Sequence, residues 1–200
     1  MTALRKTPVA LAPDAAPFVI RAERASDVVA REALLDACFG ANRQARTCQR
    51  LRDGRAPADG LAFSAVARGK IVGTLRLWHV SAGGVPALVL GPLAVDSAFR
   101  KLGVGAALVA RALAATRARG HRAVLLLGDA AYYSRFGFSA TKTADLMLPG
   151  AYEQERLLGI ELAPGALDGA WGMIVPTGGS LPKPKAARTR RSLRAAAAVA

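Results

Sequence analysis

Two hundred residues, carrying 28 Lys plus Arg against 14 Asp plus Glu and 52% hydrophobic letters, describe one compact domain with enough apolar material for a real core. Charged residues at 21% beside plentiful Leu, Val and Ala exclude a chain that is disordered throughout. No apolar run approaches the roughly 20 residues of a membrane-spanning helix, and two cysteines, Cys38 and Cys48, exclude a disulfide framework or a four-ligand cysteine metal site and suit a reducing compartment.

In chain order, Arg5 and Lys6 precede a short apolar stretch that Pro8, Pro13, Asp14 and Pro17 interrupt too early for a secretory signal. Residues 1–16 therefore read as a flexible leader, and the protein as cytoplasmic. Phe18-Val19-Ile20-Arg21 has a β pattern. Ser26 and Asp27 then precede Val28, Val29, Ala33, Leu34, Leu35 and Cys38 at helical spacing. Arg43 to Arg52, polar with Leu51 near the end, predicts a second helix stopped by Asp53-Gly54. Leu61 to Ala67, Arg68-Gly69-Lys70 and Ile71 to Val80 predict a β-hairpin whose glycine accepts a positive φ. Ser81-Ala82-Gly83-Gly84 turns the chain into a third strand, Val85 to Val95, which completes an antiparallel meander. A helix is predicted over Arg100 to Arg119, with Leu108, Val109 and Leu113 on one side and Gly120 as its C-cap. Val124 to Leu127 is apolar on both faces, as a central parallel strand is. A short helix and at least one more strand pair follow; Trp171 with Met173 and Ile174 reads as a final strand packed on the sheet, after a turn at Pro164-Gly165.

The series predicts an α/β fold over residues 17–176: a mixed central sheet, an antiparallel meander joined to a parallel strand, flanked by helices. Beyond it, Lys183, Lys185, Arg188, Arg190, Arg191 and Arg194 supply six positive charges with no acid, so residues 177–200 read as a disordered basic tail with at most weak nucleic-acid contact.

Chemistry concentrates in Arg100-Lys101-Leu102-Gly103-Val104-Gly105-Ala106-Ala107. A helix start exposes unpaired N–H groups and a partial positive charge, and glycines let an anion come close to those donors. Glycines that merely permit tight packing on the sheet are the structural alternative. A P-loop requires Lys-Ser or Lys-Thr after the glycines, which is missing here. A dinucleotide fingerprint wants a third glycine where Leu108 stands and a turn directly after the strand, although Asp129 ends the next strand as a ribose-binding acid would. A third pattern, Gln/Arg-x-x-Gly-x-Gly/Ala after an antiparallel strand, is filled at every fixed position by Arg100, Gly103 and Gly105.

Together with Leu90-Gly91-Pro92-Leu93-Ala94-Val95, Gly128-Asp129 and Tyr132-Tyr133-Ser134-Arg135-Phe136-Gly137-Phe138, this segment resembles the GNAT acetyltransferase superfamily, and more narrowly its YhbS-like branch, across about Phe18 to Val175. The resemblance implies a GNAT-like sheet and direct transfer of an acetyl group from acetyl-coenzyme A to a primary amine of a small molecule or protein. It also implies that backbone groups at Leu93, Ala94 and Val95 pair with the pantetheine arm. Gly91 and Pro92 suit the strand bulge that would free those groups. The diphosphate would sit on the N–H groups of Leu102, Gly103, Val104, Gly105 and Ala106, with Arg100 and Lys101 adding full charges. Tyr133 stands four residues before Gly137, where the family pattern carries the tyrosine that protonates the departing thiolate, with orientation of the cofactor as its alternative role. Tyr132, about 100° away on a helical turn, faces elsewhere.

Leu126 departs from the family, many members of which carry Asn there. Asp129 is read as a helix cap, with a contact to substrate or cofactor as its alternative. Glu23, Asp96, Asp129 and Glu153 are the acids available as a general base, and none is preferred. Phe136 and Phe138 are read as core, His79 and His121 as ordinary strand-edge and helix-end residues, and the cysteines as buried thiols. No metal is expected. The family also implies that Ser26 to Asp53 walls the acceptor side, where Arg43, Arg46, Arg50 and Arg52 suggest an acidic or phosphate-bearing acceptor, and that a homodimer is plausible. The competing reading is a non-catalytic coenzyme A-binding or nucleic-acid-associated module that uses the basic tail as an anchor.

Overall fold

The computed structural model describes residues 17–181; the leader over 1–16 and the six tail cations from Lys183 to Arg194 lie outside the described residues. The elements are β1 (Val19–Ala22), α1 (Val28–Phe39), β2 (Ala62–Ala67), β3 (Lys70–Ala82), β4 (Val85–Leu90), β5 (Ala94–Val95), α2 (Val104–Ala118), β6 (Ala123–Leu127), α3 (Ala130–Tyr133), β7 (Leu146–Met147), β8 (Leu157–Glu161) and β9 (Gly172–Pro176). The main path of the sheet runs β1-β2-β3-β4-β6-β8 and is antiparallel except between β4 and β6. This is the expected meander joined to a parallel strand.

The 13-residue β3 is the spine. It pairs with β2 on one edge, with β5 and then β4 on the other, and with β9 at its far end. Its hairpin with β2 closes through Arg68 at φ 48° and Gly69 at φ 76°, the two positive values that a tight right-twisting turn needs. Side chains alternate across the sheet as a pleat dictates. Leu75, Leu77, Leu88, Val124 and Leu126 go under α2, while Trp78, Val80, Val89 and Leu125 go to the opposite face with Leu51, Leu146 and Ile174. Each fully buried leucine among them contributes about 1.5–3 kcal/mol of apolar transfer. Helix α2 lies unusually close to the sheet at Gly73, where an added Cβ would come within 2.9 Å of Val104 and 3.0 Å of Leu108.

Three expected boundaries shift. The helix predicted over Arg43 to Arg52 is instead two 3-10 segments, Ala41–Ala45 and Thr47–Leu51, separated by an extended Arg46. Leu51 is the one buried residue of the two, so no apolar stripe exists for an α-helix to bury. Helix α2 begins at Val104 rather than Arg100, because Lys101 at φ 65° and Gly103 at φ 81° hold the preceding turn in the left-handed region. The strand predicted over Val85 to Val95 is broken into β4 and β5. In addition, Trp171 lies just ahead of β9 and is 75% exposed rather than packed on the sheet, where Ile174 is the buried residue.

An ion-pair cluster fixes α1 to the sheet. The Asp27 carboxylate accepts from Arg21 (2.6 and 2.8 Å), the Arg24 N–H (2.9 Å) and Ser64 Oγ (3.0 Å), and these donors hold its pKa far below the usual carboxylate range. Glu23 binds both Arg31 and Arg76, so β1, α1 and β3 share one acid.

Candidate active site

The site begins where the meander fails. Leu77 pairs with Leu90 and Thr74 with Ala94, so three steps along β3 match four along its partner. The Gly91 N–H still donates to Arg76 O at 2.8 Å, which leaves Leu75 opposite both Pro92 and Leu93. That is a bulge, as expected from Gly91-Pro92. Trp78 secures it by donating from Nε1 to Gly91 O at 2.6 Å. Beyond the bulge β5 follows β3 away from β6, whose pairing with β4 covers only Leu88 and Val89.

Two openings share this break. In β5 the Asp96 N–H donates to Val72 O at 2.9 Å and Gly73 pairs with Val95, so the N–H and C=O of Val95 itself turn away from β3. Cys38 Sγ, 3.4 Å from Val95 O, marks that direction. The groove they face has a volume of about 400 Å³ and runs from Leu93, Ala94 and Val95 to Arg100, Lys101, Gly103, Val104, Gly105 and Ala106. Nine of the ten residues predicted to hold the cosubstrate therefore border one groove; the exception, Leu102, is half-exposed beside it. At its end α2 has no side-chain cap, and the first intrahelical bond is from Ala107 to Gly103 O (2.9 Å). Among the described residues the N–H groups of Val104, Gly105 and Ala106 have no acceptor, and Arg100, Lys101 and Arg135 surround them with positive charge. Free amides and positive charge at a helix start are the donor set that can cradle an anion.

The second opening, about 920 Å³, lies across Leu93 and Phe39, which line both. The 3-10 segments supply Arg46, Cys48 and Arg52, β6 and its turn supply Leu127, Gly128 and Asp129, and the chain before β8 supplies Tyr152, Glu153 and Arg156. Tyr133 points here. Its ring packs on the backbone of Gly128 so closely that an added Cβ would meet Cε2 at 2.4 Å and Cδ2 at 2.8 Å. Its hydroxyl makes no hydrogen bond among the described residues, and burial pushes its pKa above the ordinary phenol value, so it stays protonated at neutral pH. Tyr132 turns to the other opening, its hydroxyl 2.9 Å from where a Cβ on Gly105 would stand. The two rings meet edge to face, 4.9 Å apart at 84°.

Of the four acids, Glu23 is committed to Arg31 and Arg76, and Asp96 accepts from Ala98 N at 2.9 Å. Asp129 caps α3 by accepting from Tyr132 N at 2.9 Å while bordering the larger cavity, and Glu153 borders it too. Leu126, Phe136 and Phe138 belong to the core or its margin, and His79 and His121 pair with each other at 5.3 Å outside both openings. Sequence separation did not reveal that Cys38 borders the groove and Cys48 the cavity. Tyr152 and Arg156 carry no signal in the sequence, since no motif links them to the glycine segment. Among the described residues no cluster of His, Cys, Asp and Glu is assembled that could hold a metal, and no helix is long and apolar enough to cross a membrane.

The acetyltransferase (GNAT) domain family matches residues 58–140, the span from β2 through α3 that carries the break, the cradle and both tyrosines. The N-acetyltransferase YhbS of Escherichia coli strain K12 is 32% identical over 163 residues, which is 78% of this chain and 95% of that protein. The crystal structure of Escherichia coli YhbS in complex with CoA superposes with a TM-score of 0.71 at 29% identity, over 84% of this chain and 93% of that one. A GNAT family acetyltransferase from Brucella melitensis, in complex with acetyl-CoA, gives 0.61 at 26%, over 82% and 97%. A splayed strand that opens onto a bare helix start, found on a chain aligned along nearly the whole of an N-acetyltransferase, makes this protein a member of the GNAT acetyltransferase family.

Proposed function

We propose that the enzyme binds acetyl-coenzyme A in the 400 Å³ groove and transfers its acetyl group to a primary amine presented from the 920 Å³ cavity. The observation that carries this reading is the junction of the two openings at Leu93, beside the outward-turned backbone of Val95. The relatives that hold CoA and acetyl-CoA support the choice of cosubstrate. Acetyl-coenzyme A supplies an activated thioester. The chain supplies the rest. The N–H groups of Val104, Gly105 and Ala106 bind the diphosphate with Arg100 and Lys101, and the turn from Leu102 to Gly103 shapes the approach. Leu93, Ala94 and Val95 hold the pantetheine, and the Val95 N–H polarises the thioester carbonyl. As the amine's N–C bond forms and the C–S bond breaks, Tyr133 Oη gives its proton to the sulfur, and the nitrogen releases its own proton to water in the open cavity. We read the enzyme as cytoplasmic, in keeping with two free thiols, with its catalytic domain over 17–176 and a basic tail over 177–200.

Calorimetric titration with acetyl-coenzyme A is expected to saturate at one site per chain. Thiol release with a panel of primary amines is expected to exceed release without amine. Binding with no amine-dependent release anywhere in the panel would reduce the protein to a coenzyme A-binding module and overturn the catalytic reading.

A further inference from the structure

The larger cavity holds a cation without a partner. Arg21, Arg31, Arg43 and Arg76 are all partly or fully withdrawn from water, and each meets a carboxylate at 2.6–2.7 Å. Arg52 does not. It lies at the cavity wall with its Nε buried and lacking any hydrogen-bond partner, and it forms no ion pair among the described residues. Burial depresses its pKa, the neighbouring charges of Arg43 and Arg46 push the same way, and the nearby Cys48 and Asp53 oppose the shift without cancelling it. Such a charge is costly to retain unless something completes it.

The surroundings are of the same sign. Arg46 lines the cavity with its guanidinium 4.9 Å from the centre of the Phe39 ring and no carboxylate bound. The two acids of the wall are engaged elsewhere: Asp129 on the Tyr132 N–H at 2.9 Å, Glu153 facing Arg156 at 3.7 Å. Arg43 is already neutralised by Asp36 and Glu32. Of the arginines lining the cavity, Arg52 and Arg46 are therefore the ones that no ion pair engages among the described residues.

Position adds the scale. Arg52 Nη1 lies 4.0 Å from where a Cβ on Gly91 would stand, against the strand break itself. Leu93, where the two openings join, follows by two residues, at most about 7 Å along the chain. A group on Arg52 and an amine reaching the junction thus fit within one small molecule or one terminal residue. A planar guanidinium with a free edge is matched by the two oxygens of a carboxylate or phosphate.

We propose that the acceptor amine carries an oxyanion, a carboxylate or a phosphate, that pairs with Arg52 while Arg46 attracts it at the cavity mouth. This rests on the acetyl-transfer reading of the same site. The test uses product-like probes in matched pairs, titrated calorimetrically into the full-length protein saturated with coenzyme A, so that the cosubstrate's own phosphates are in place. The carboxylate arm compares N-acetylglycine, N-acetylleucine and N-acetylphenylalanine with their amides; the phosphate arm compares N-acetyl-O-phosphoethanolamine with N-acetylethanolamine. In at least one arm the anionic member is expected to bind about 10-fold or more tightly, as a charge-assisted hydrogen bond allows, and the arm that responds identifies the oxyanion. Arg52→Gln is expected to bring the pair together, and Arg52→Lys to keep part of the preference. Without ligand, Arg52→Gln is expected to melt no lower than the wild type, because it relieves an unpaired charge; a lower melting temperature would mark Arg52 as a structural residue and overturn the proposal. Equal binding within every pair, no binding of any probe, or a preference that survives Arg52→Gln would overturn it too. Coenzyme A binding, recorded in the same titrations, separates the two readings: its absence overturns acetyl transfer as well, whereas coenzyme A bound without discrimination between probes overturns the oxyanion alone.

Discussion

The two openings on either side of Leu93 are built from different materials. The groove is mostly main chain: a strand edge turned outward at Val95 and three N–H groups at the start of α2, with glycines keeping the surface low. The cavity is mostly side chain, gathered from α1, the 3-10 segments, the turn after β6 and the chain before β8. A backbone site tolerates change in everything except shape, because its donors are present in every residue but proline. A side-chain site can alter its ligand by exchanging one residue. Under the proposed function, the contrast suits a cosubstrate held in the first opening and an acceptor presented from the second.

Substitutions can test that division, beginning with the largest effect. Tyr133→Phe removes a proton donor from the cavity side and is expected to lower kcat by about 10²–10⁴-fold, with acetyl-coenzyme A affinity unchanged by calorimetry. Burial raises the Tyr133 phenol above its ordinary value of about 10. The donating form therefore persists through the neutral range, and kcat is expected to fall only as the pH rises past that value; a basic limb near neutrality would belong to another group. Equal kcat in Tyr133→Phe and wild type would remove the residue from the acid role.

Gly128→Ala acts on the same tyrosine without touching it chemically. The new methyl would overlap the ring at 2.4 Å, and displacing a positioned group by about 1 Å costs about 10²-fold in rate. Its kcat is expected to fall while acetyl-coenzyme A affinity holds. Gly105→Val should do the reverse. Its side chain enters the groove where Tyr132 Oη stands 2.9 Å from the Cβ position. Losing one charge-assisted hydrogen bond of about 1.5–3 kcal/mol would weaken acetyl-coenzyme A by about 10–100-fold with kcat at saturation little altered. If both glycine variants moved the same kinetic constant, the two openings would not be separate sites.

The same contrast decides how much could be read from residues alone. The alternation of Leu75, Leu77, Trp78 and Val80, the turn at Arg68-Gly69 and the break at Gly91-Pro92 are local signals, and each appears in the fold where the pattern puts it. The groove is equally local, since the fourteen consecutive positions from Leu93 to Ala106 hold all of its expected residues, interrupted only by the turn between β5 and Arg100. The start of α2 is not legible along the chain, because the left-handed Lys101 is not a glycine and carries no marker of its conformation. The stretch from Arg43 to Arg52 departs from the expected helix because its polar residues answer to partners on α1 and in the cavity rather than to a helical period. Arg52 is expected on the acceptor side, but the stretch that carries it and Cys48 meets the one that carries Tyr152 and Arg156 only in three dimensions, and no motif along the chain connects the two stretches.

The central claim is that main-chain amides at the start of α2 receive the cosubstrate. Amide chemical shifts of the ¹⁵N-labelled protein, followed during titration with acetyl-coenzyme A, address it directly. The account predicts the largest changes at the N–H groups of Val104, Gly105, Ala106 and Val95. Saturable binding that leaves those four resonances in place, with shifts gathered around Arg46, Arg52 and Arg156 instead, would contradict it.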